Sequence, residues 1–287
     1  MFIKSKLNNE VNSRLNSEDE MNKSHPLVSI VTVVFNGEKH LEQTIQSVLS
    51  QTYTNVEYII IDGASTDNSV SIIKKYSDQL AYWISEPDEG ISDAFNKGIH
   101  RATGEIIGLI NADDWFELDS IEKVVDAIKN HDVVYGNMAY WKNGSKDMIV
   151  HGRHDYLNNE MTVNHPTVFV KRHCYERYGY FDAAYHFAMD YDFLLRLKIN
   201  NCRFIHIPHV LSNMRWEGAS DTQWYKACKE ALKIKNKYLP HKKVLNNIYF
   251  LKQVSAIVIS KFLQRIRLGS IVHFYRRTLS PVKMLHQ

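Results

Sequence analysis

Apolar strands and amphipathic helices alternate four times between residues 28 and 128. Val28 to Val34 is a β-branched run typical of a buried strand, and Tyr58 to Ile61, Tyr82 to Ile84 and Ile106 to Ile110 are shorter apolar runs. A helical pattern follows each run, with apolar residues on one face. Because such alternation builds a mostly parallel sheet with helices on both faces, the sequence predicts an α/β fold. Ligands bind such sheets at the carboxyl ends of the strands.

The pattern changes after Val133. Short strands flank the turn Asn143-Gly144, and two further strands are expected on either side of Pro208-His209. A helix is predicted over Asp190 to Ile199, and the chain from Ser220 onward has helical patterns. The alternating region is therefore expected to continue into a hairpin-containing region and then into C-terminal helices.

Basic residues are concentrated at the C-terminal end. Residues 226–287 contain 14 Lys and Arg and one acid, Glu230, whereas the rest of the chain contains 21 Lys and Arg and 31 Asp and Glu. Apolar and aromatic residues are interleaved with this charge, as in segments that bind anionic membrane surfaces. We therefore predict a basic helical tail over 226–287 that associates with a membrane. The alternatives are a helix packed on the rest of the chain and binding of nucleic acid; we expect no nucleic acid, because no recognised reader motif accompanies the charge.

The N-terminal residues and the cysteines bear on where the chain works. Residues 1–24 are polar and lack the apolar core of a secretory signal, so we expect a flexible leader. No run of about 18 apolar residues occurs, so no membrane-spanning helix is expected. The three cysteines, Cys174, Cys202 and Cys228, are widely spaced and form neither a disulfide framework nor a CxxC metal site. These features predict a cytoplasmic protein.

Two adjacent acids follow the apolar run Ile106 to Ile110, in the sequence Asn111-Ala112-Asp113-Asp114. Carboxylates at a strand end suit Mg²⁺ or Mn²⁺, cations that commonly bridge to a phosphate. The alternative is a solvated acidic turn that caps the next helix, and this tetrapeptide alone favours that alternative. The spaced histidine pairs of the chain are attributed to chance, so no zinc site is expected.

Three further polar segments are candidates for a functional site. Asp62 to Ser69 combines an acid with small residues that permit close approach of a ligand, Asp88 to Gly98 is suited to line a cleft, and Asp190-Tyr191-Asp192 offers a general base. Each also has a structural explanation. The first is an ordinary strand-to-helix turn, and the other two place acids at a helix start, where the helix dipole favours them.

Taken together, the order and spacing of these segments resemble family 2 glycosyltransferases, the inverting group with the GT-A fold. The matching segments are Val28 to Asn36 (the opening strand of the family), Asp62 to Ser69 (its Asp-Asp-Gly-Ser-Thr-Asp segment), Glu86 to Gly98 and Ala102 to Glu105 (its next block), Asn111 to Asp114 (its DxD metal motif) and Met189-Asp190 (its Glu-Asp pair). The resemblance implies a GT-A catalytic domain over 25–225, Rossmann-like with helices on both faces, followed by C-terminal helices.

The resemblance also implies a role for each matching polar residue. Asp113 would bind a divalent cation, Mn²⁺ or Mg²⁺, and Asp190 would deprotonate the acceptor hydroxyl. Residues implied to bind the nucleotide-sugar are Asn36, Asp62, Asp88, Asp93, Asn96, Asn111 and Asp114, with Asp62 at the base. The chain departs from the family pattern at three positions, where Gly63 and Asn111 replace aspartates and Met189 replaces a glutamate.

By the same resemblance, the chain is expected to transfer a hexose with inversion from a nucleotide-sugar, UDP-glucose or UDP-galactose. The expected acceptor is a lipid-diphosphate-linked sugar such as GlcNAc-diphospho-undecaprenol, in O-antigen or related polysaccharide biosynthesis. The protein would then work as a peripheral protein on the inner face of the plasma membrane. The alternative is a non-catalytic module that binds sugar nucleotides or lipids on the same fold. Such a module needs no base, so the joint presence of Asp113 and Asp190 favours an enzyme.

Overall fold

The computed structural model describes residues 25–215, 223–266, 268 and 284–285, so the leader predicted over 1–24 lies outside the described residues. The strands are β1 (Val28–Val34), β2 (Val56–Asp62), β3 (Tyr82–Ser85), β4 (Ile106–Asn111), β5 (Trp115–Phe116), β6 (Val133–Lys142), β7 (Ser145–Val150), β8 (Val168–Lys171), β9 (Phe204–Arg215) and β10 (Met284–Leu285). The α-helices are α1 (Leu41–Leu49), α2 (Ser69–Lys75), α3 (Ile91–Arg101), α4 (Ser120–Ile128), α5 (Arg172–Tyr178), α6 (Met189–Ile199), α7 (Trp224–Tyr238) and α8 (Lys243–Arg265).

The strands form one mixed sheet with the main order β10-β7-β6-β8-β4-β1-β2-β3. Strands β3, β2, β1 and β4 pair in parallel, as predicted from the alternation. The other half is mainly antiparallel, from β4-β8 through β6 and β7 to β10. A tight turn at Asn143-Gly144 joins β6 to β7, and a turn that short permits only antiparallel pairing. The α/β prediction is confirmed, with parallel pairing concentrated in the N-terminal half.

Strand β1 lies inside the sheet, between β4 and β2, and is buried along its whole length. Its burial on both faces explains the continuous β-branched run in the sequence. Helix α3 packs directly on β1, so closely that a Cβ on Gly98 would overlap the side chain of Val31. This contact fixes α3, and with it the loop before α3, relative to the carboxyl end of β1.

Strand β9 is one long strand rather than the two strands predicted around Pro208-His209. It pairs with β6 throughout, but the register shifts between Tyr135–His206 and Asn137–Val210. The extra residues of β9 form an irregularity there, which accommodates a proline that has no N–H to donate to the ladder.

The boundary predicted between residues 225 and 226 falls inside α7, which begins at Trp224. Helix α7 buries Ile234 in the core formed with α6, and the Lys235 ammonium donates to the carbonyl of Asn159 at 2.9 Å. The first helix of the basic segment therefore packs on the rest of the chain. Within the described ranges, no helix is both long and apolar enough to cross a membrane.

Candidate active site

A cleft of about 930 Å³ opens at the carboxyl ends of β1 and β4. The loop before α3, the segment 161–166, the start of α6 and parts of β6 and β9 also line it. Of the residues predicted to form the site, those on the cleft wall are Asn36, Asp88, Asn111, Asp113 and Asp190. Four predicted residues, Asp62, Asp93, Asn96 and Asp114, lie off the wall.

The loops after β1 and β2 are joined by side-chain hydrogen bonds. Asn36 follows β1 with a φ of 51°, and its Oδ1 accepts from the backbone N–H of Thr66 at 2.8 Å. The backbone N–H of Asn36 in turn donates to Ser65 Oγ at 2.8 Å. Asparagine tolerates this left-handed conformation better than most residues, which suits it to the position. The segment from Asp62 to Ser69 is thus held at the rim of the cleft.

Asp62 is fully buried at the end of β2. Its Oδ2 accepts from the N–H of Ser65 at 3.0 Å and from Ser85 Oγ at 2.6 Å. Its Oδ1 is buried and has no hydrogen-bond partner among the described residues. Asp62 therefore shapes the loop from beneath, and its predicted contact with the base stays a prediction.

Asp88 occupies the space beside Gly63. A Cβ on Gly63 would overlap Asp88 Oδ2 and would lie 3.2 Å from Asp88 Cγ. Asp88 Oδ1 accepts from the N–H of Gly90 at 2.8 Å, which holds the carboxylate in place. The absence of a side chain at position 63 thus leaves room for the acid that follows β3.

The segment Asn111 to Asp114 turns at the end of β4. Thr44 Oγ1 donates to the carbonyls of Ala112 and Asp114, at 2.8 and 2.6 Å, and so anchors this turn to α1. Asp113 faces the cleft, whereas Asp114 is 1% exposed and accepts from Asn111 Nδ2 at 3.1 Å. Burial, with the neighbouring Asp113 carboxylate, raises the pKa of Asp114 well above its usual range. Asp114 therefore lies beneath Asn111 and off the cleft wall, and its predicted contact with the nucleotide-sugar stays a prediction.

Asn111 and Asp114 each keep one buried side-chain oxygen, Oδ1, without a hydrogen-bond partner in the part of the chain that the structure describes. Buried oxygens are rarely left unpaired, and those of carboxylates and amides suit hard divalent cations. The Asp113 carboxylate lies next to them on the cleft wall. The donor set at this turn therefore fits Mn²⁺ or Mg²⁺.

Asp190 is the second residue of α6 and lies at the cleft wall. Burial raises the pKa of its carboxyl to about 6, although its Oδ1 accepts from the N–H of Tyr191 at 2.7 Å. Asp192 points away and is fully buried, with Oδ2 2.8 Å from Arg196 Nη2 and Oδ1 accepting from the Tyr238 hydroxyl at 3.0 Å. Asp192 is therefore engaged by Arg196 and Tyr238 and is not on the cleft wall.

Asp93 and Asn96 support the fold instead of facing the cleft. Asp93 lies in the first turn of α3 and pairs with Lys97 at 3.3 Å. The Asn96 side chain donates to the carbonyl of Phe181 at 2.9 Å and accepts from its N–H at 3.0 Å. Because both ends of this amide are engaged, Asn96 ties α3 to the loop that precedes α6. Neither residue lies on the cleft wall, and their predicted ribose or sugar contacts stay predictions.

Two residues that line the cleft, Arg215 and His165, were not predicted from the sequence. Arg215 ends β9, donates to the carbonyl of Asp113 and to Gln43 Oε1, and lies 4.4 Å from the centre of the Trp115 ring. His165 also lines the cleft, and burial lowers its pKa to about 4, so its ring is neutral. Arg215 follows a recognised strand, so its position at a strand end was the available signal. No sequence signal indicated His165, because its position at the cleft depends on the antiparallel half of the sheet.

The comparisons with known proteins identify a family. Residues 29–204 match the model of Glycosyl transferase family 2. An uncharacterized glycosyltransferase of Mycobacterium tuberculosis is 30% identical over 187 residues, which cover 61% of this chain and 70% of that protein. The PGL/p-HBAD biosynthesis glycosyltransferase of Mycobacterium bovis is 28% identical over 213 residues, covering 69% of this chain and 80% of that protein.

Solved structures share the fold. S. aureus TarS 1–349 in complex with UDP-GlcNAc is 15% identical, with a TM-score of 0.60, and the match covers 89% of this chain and 76% of that one. The match covers 46% of the longer TarS chain. The mannosyltransferase PcManGT from Pyrobaculum calidifontis, in complex with GDP-Man and Mn²⁺, is 17% identical with a TM-score of 0.59, covering 88% and 81%. The likeness is one of fold, and it confirms the predicted GT-A architecture.

Proposed function

The chain belongs to glycosyl transferase family 2, and from this premise we propose that it transfers a hexose, with inversion, from a uridine diphosphate sugar to a lipid-diphosphate-linked sugar. The proposed donor is UDP-glucose or UDP-galactose. The proposed acceptor class is the GlcNAc-diphospho-lipid on which O-antigen and related polysaccharide units are built. The observation that carries the proposal is that Asp113 and Asp190 line the same cleft.

Asp190 is the general base of the proposed reaction. With a pKa of about 6, its carboxyl is mostly ionised at neutral pH and remains basic enough to take a hydroxyl proton. As the acceptor oxygen bonds to the anomeric carbon, its proton passes to Asp190, and the bond from that carbon to the diphosphate oxygen breaks. Attack opposite the leaving group inverts the anomeric centre, so an α-linked donor yields a β-glycoside.

Asp113 is the residue proposed to hold a divalent cation, with the free oxygens of Asn111 and Asp114 beside it. When bound, Mn²⁺ or Mg²⁺ supplies positive charge that offsets the charge developing on the leaving diphosphate. Mn²⁺ accompanies GDP-Man in the PcManGT structure, which supports a metal in this fold. Arg215 fixes the backbone at Asp113 and so keeps the carboxylate directed into the cleft.

The donor side of the cleft carries both polar and cationic groups. Asn36, Asp88 and Asn111 offer hydrogen-bonding oxygens and amides, and Lys39 and Arg215 bring positive charge to the same wall. Cations attract a diphosphate and raise its local concentration in a cleft. TarS binds UDP and UDP-GlcNAc on a similar fold, which supports a uridine diphosphate sugar as donor.

The acceptor proposal rests on α8. Its exposed apolar residues are Val244, Leu245, Ile248, Leu251, Val258, Ile259 and Phe262. They lie within the basic segment 226–287, where each cation near an anionic lipid surface contributes about 1 kcal/mol. Apolar side chains flanked by cations suit the interface of an anionic membrane. We therefore place the enzyme at the cytoplasmic membrane face, where a lipid-linked acceptor is accessible.

The test is an activity panel with UDP- and dTDP-sugars, Mn²⁺ and a synthetic GlcNAc-diphospho-lipid, read by mass spectrometry. We expect a product heavier by one hexose with UDP-glucose or UDP-galactose, and a β-anomer in the proton couplings measured by NMR. An α-anomeric product would overturn the inverting mechanism. Donor binding without turnover, across the whole panel, would favour the non-catalytic module.

A further inference from the structure

A second cluster of ligand-type side chains lies at the sheet edge opposite the cleft. Asp132 directly precedes β6, and His173 and Cys174 lie in the first turn of α5, directly after β8. Because β8 runs antiparallel to β6, the end of β8 and the start of β6 meet at one edge. The fold thus gathers residues that sequence spacing keeps far apart.

Asp132 is fixed by backbone contacts on both sides. Its N–H donates to the carbonyl of Arg203 at 2.8 Å, and its own carbonyl accepts from the N–H of Lys171 at 2.9 Å. Its Oδ2 accepts from the N–H of Arg203 at 2.7 Å and lies 3.6 Å from Arg203 Nε. The other carboxylate oxygen, Oδ1, is directed at His173. The contacts with Arg203 and Lys171 hold it there independently of any bound ion.

Two distances within the cluster match the edges of a tetrahedral metal site. His173 Nε2 lies 3.6 Å from Asp132 Oδ1 and 3.6 Å from Cys174 Sγ, and all three ligand atoms lie within 4.8 Å of one another. A nitrogen–oxygen separation of 3.6 Å is too long for a hydrogen bond. Zn²⁺ with bonds of about 2.0–2.3 Å in tetrahedral geometry separates its ligands by roughly 3.3–3.6 Å.

The cluster supplies three ligands from the protein, so a water molecule would complete the tetrahedron. We propose that Asp132, His173 and Cys174 bind Zn²⁺. Imidazole and thiolate ligands select Zn²⁺ over Mn²⁺ or Mg²⁺, so this site is distinct from the cation site at Asp113. His173 has a half-exposed side chain, through which the ion can enter.

Zinc at this position would join the start of β6 to helix α5. These elements belong to the antiparallel half of the sheet, so the ion would stabilise that half without touching the donor cleft. The expectation of no zinc site was based on the spacing of histidines along the chain. Such spacing does not reveal ligands that only the tertiary fold brings together.

The experiment uses the full chain, stripped of metal and kept in a reductant that contains no thiol. Zn²⁺ is titrated against a chromophoric chelator, and Co²⁺ is used as a spectroscopic probe, because thiolate ligation gives it intense near-ultraviolet absorption. We expect one Zn²⁺ per chain, a thiolate band with Co²⁺, and a rise in Tm on adding Zn²⁺. His173→Gln and Cys174→Ser should lower the affinity by more than the roughly 10–100-fold typical of losing an outer-shell partner.

Cys228→Ser is the matched control, since Cys228 is also a buried thiol but lies in α7. It should retain the zinc affinity and the cobalt band, as should Asp113→Asn. Equal affinity in wild type, His173→Gln and Cys174→Ser would overturn the proposal. A cobalt spectrum without a thiolate band would overturn it as well, even if the His173→Gln variant folds poorly.

Discussion

The Asp88 carboxylate lies against the backbone of Gly63, in the space that a side chain at position 63 would occupy. Gly63 follows β2 and Asp88 follows β3, and these strands are neighbours in the parallel half of the sheet. Asp88 also lines the cleft. The glycine that departs from the family pattern is thereby linked to an acid on the proposed donor wall.

Gly63→Ala should weaken donor binding by displacing Asp88. The added Cβ overlaps Asp88 Oδ2, and Asp88 is a partly exposed side chain that can swing aside, so the fold should survive. We expect a higher donor KM with a smaller change in kcat. In an Asp88→Ala background the same substitution should add nothing further, because contacting residues are not additive. Equal effects in both backgrounds would show that Gly63 acts independently of Asp88.

Asp190→Asn should lower turnover by roughly 10²–10⁴-fold, the size of a general-base contribution. Donor affinity, measured by calorimetry with the UDP-sugar, should stay nearly constant because the base contacts the acceptor. The wild-type rate should fall as the pH drops through about 6, since the carboxylate is the active form and its pKa is raised to about 6. A flat rate between pH 5 and pH 7 would remove Asp190 from this role.

The same variant should also be more thermostable than wild type at pH 8. The pKa of Asp190 is raised on folding from 3.8 to about 6, so the ionised form destabilises the folded state above that pH. Removing the charge should recover on the order of 2–3 kcal/mol, at 1.36 kcal/mol per pKa unit. The advantage should shrink toward pH 4, where the wild-type carboxyl is protonated in the folded state. Melting curves at both pH values measure the difference.

Asp192→Asn should retain transfer but lose stability. Asp192 is fully buried and pairs with Arg196 at 2.8 Å, so its loss leaves a largely buried guanidinium without its counter-charge. Breaking a buried ion pair typically costs about 3–5 kcal/mol of stability. The hydrogen bonds that asparagine can still make should reduce this loss. Urea denaturation gives the free energy of unfolding, and turnover is assayed well below the melting temperature. Loss of turnover in a fully folded variant would exchange the roles of Asp190 and Asp192.

The parts of the molecule that could be predicted from the sequence are those set by local patterns. The alternation from Val28 onward predicts the parallel strands because burial of β1 on both faces leaves a β-branched run. Asp190 was proposed from the order and spacing of the family segments, because an acid at the start of α6 is by itself explained by the helix dipole. The hydrogen bond from Asn96 to Phe181 could not be predicted, because the two residues are 85 positions apart in the sequence. The burial of Asp62 and Asp114 likewise depends on packing between strands, which no local pattern contains.

Asp113→Asn should abolish transfer and weaken Mn²⁺ binding. The neutral amide of asparagine offers no negative charge to the cation. Because Asn111 replaces the first aspartate of the motif, Asp113 is the main anionic ligand on the cleft wall. Chelation by EDTA should stop the wild type, and added Mn²⁺ or Mg²⁺ should restore it but not the variant. Mn²⁺ affinity, followed by electron paramagnetic resonance, gives a readout that does not depend on turnover. Full activity in excess EDTA would exclude the metal role.

Deleting residues 244–287 should move the protein from liposomes containing anionic lipid into the soluble fraction. The deletion also removes Asn246, whose buried amide donates to Asn236 in α7 at 3.1 Å, so a milder variant is needed to separate docking from folding. Leu251 and Phe262 are 63% and 61% exposed and lie on one face of α8, together with Val244, Ile248 and Val258. Changing both Leu251 and Phe262 to Gln removes apolar surface without disturbing a buried contact.

This double variant should bind anionic liposomes more weakly than wild type while keeping its Tm, because burial of apolar surface contributes roughly 25 cal/mol per Å². Ser255→Gln is the control: it introduces the same residue at an exposed position that is already polar, and it should bind like wild type. High salt should weaken binding of all three proteins, since surface charges are screened within about 10 Å at 0.1 M. Co-sedimentation with liposomes of defined anionic content measures the binding of each protein at each salt concentration. If binding is indifferent to salt, to lipid charge and to the α8 face, the segment does not dock on a membrane, and the lipid-linked acceptor loses its structural support.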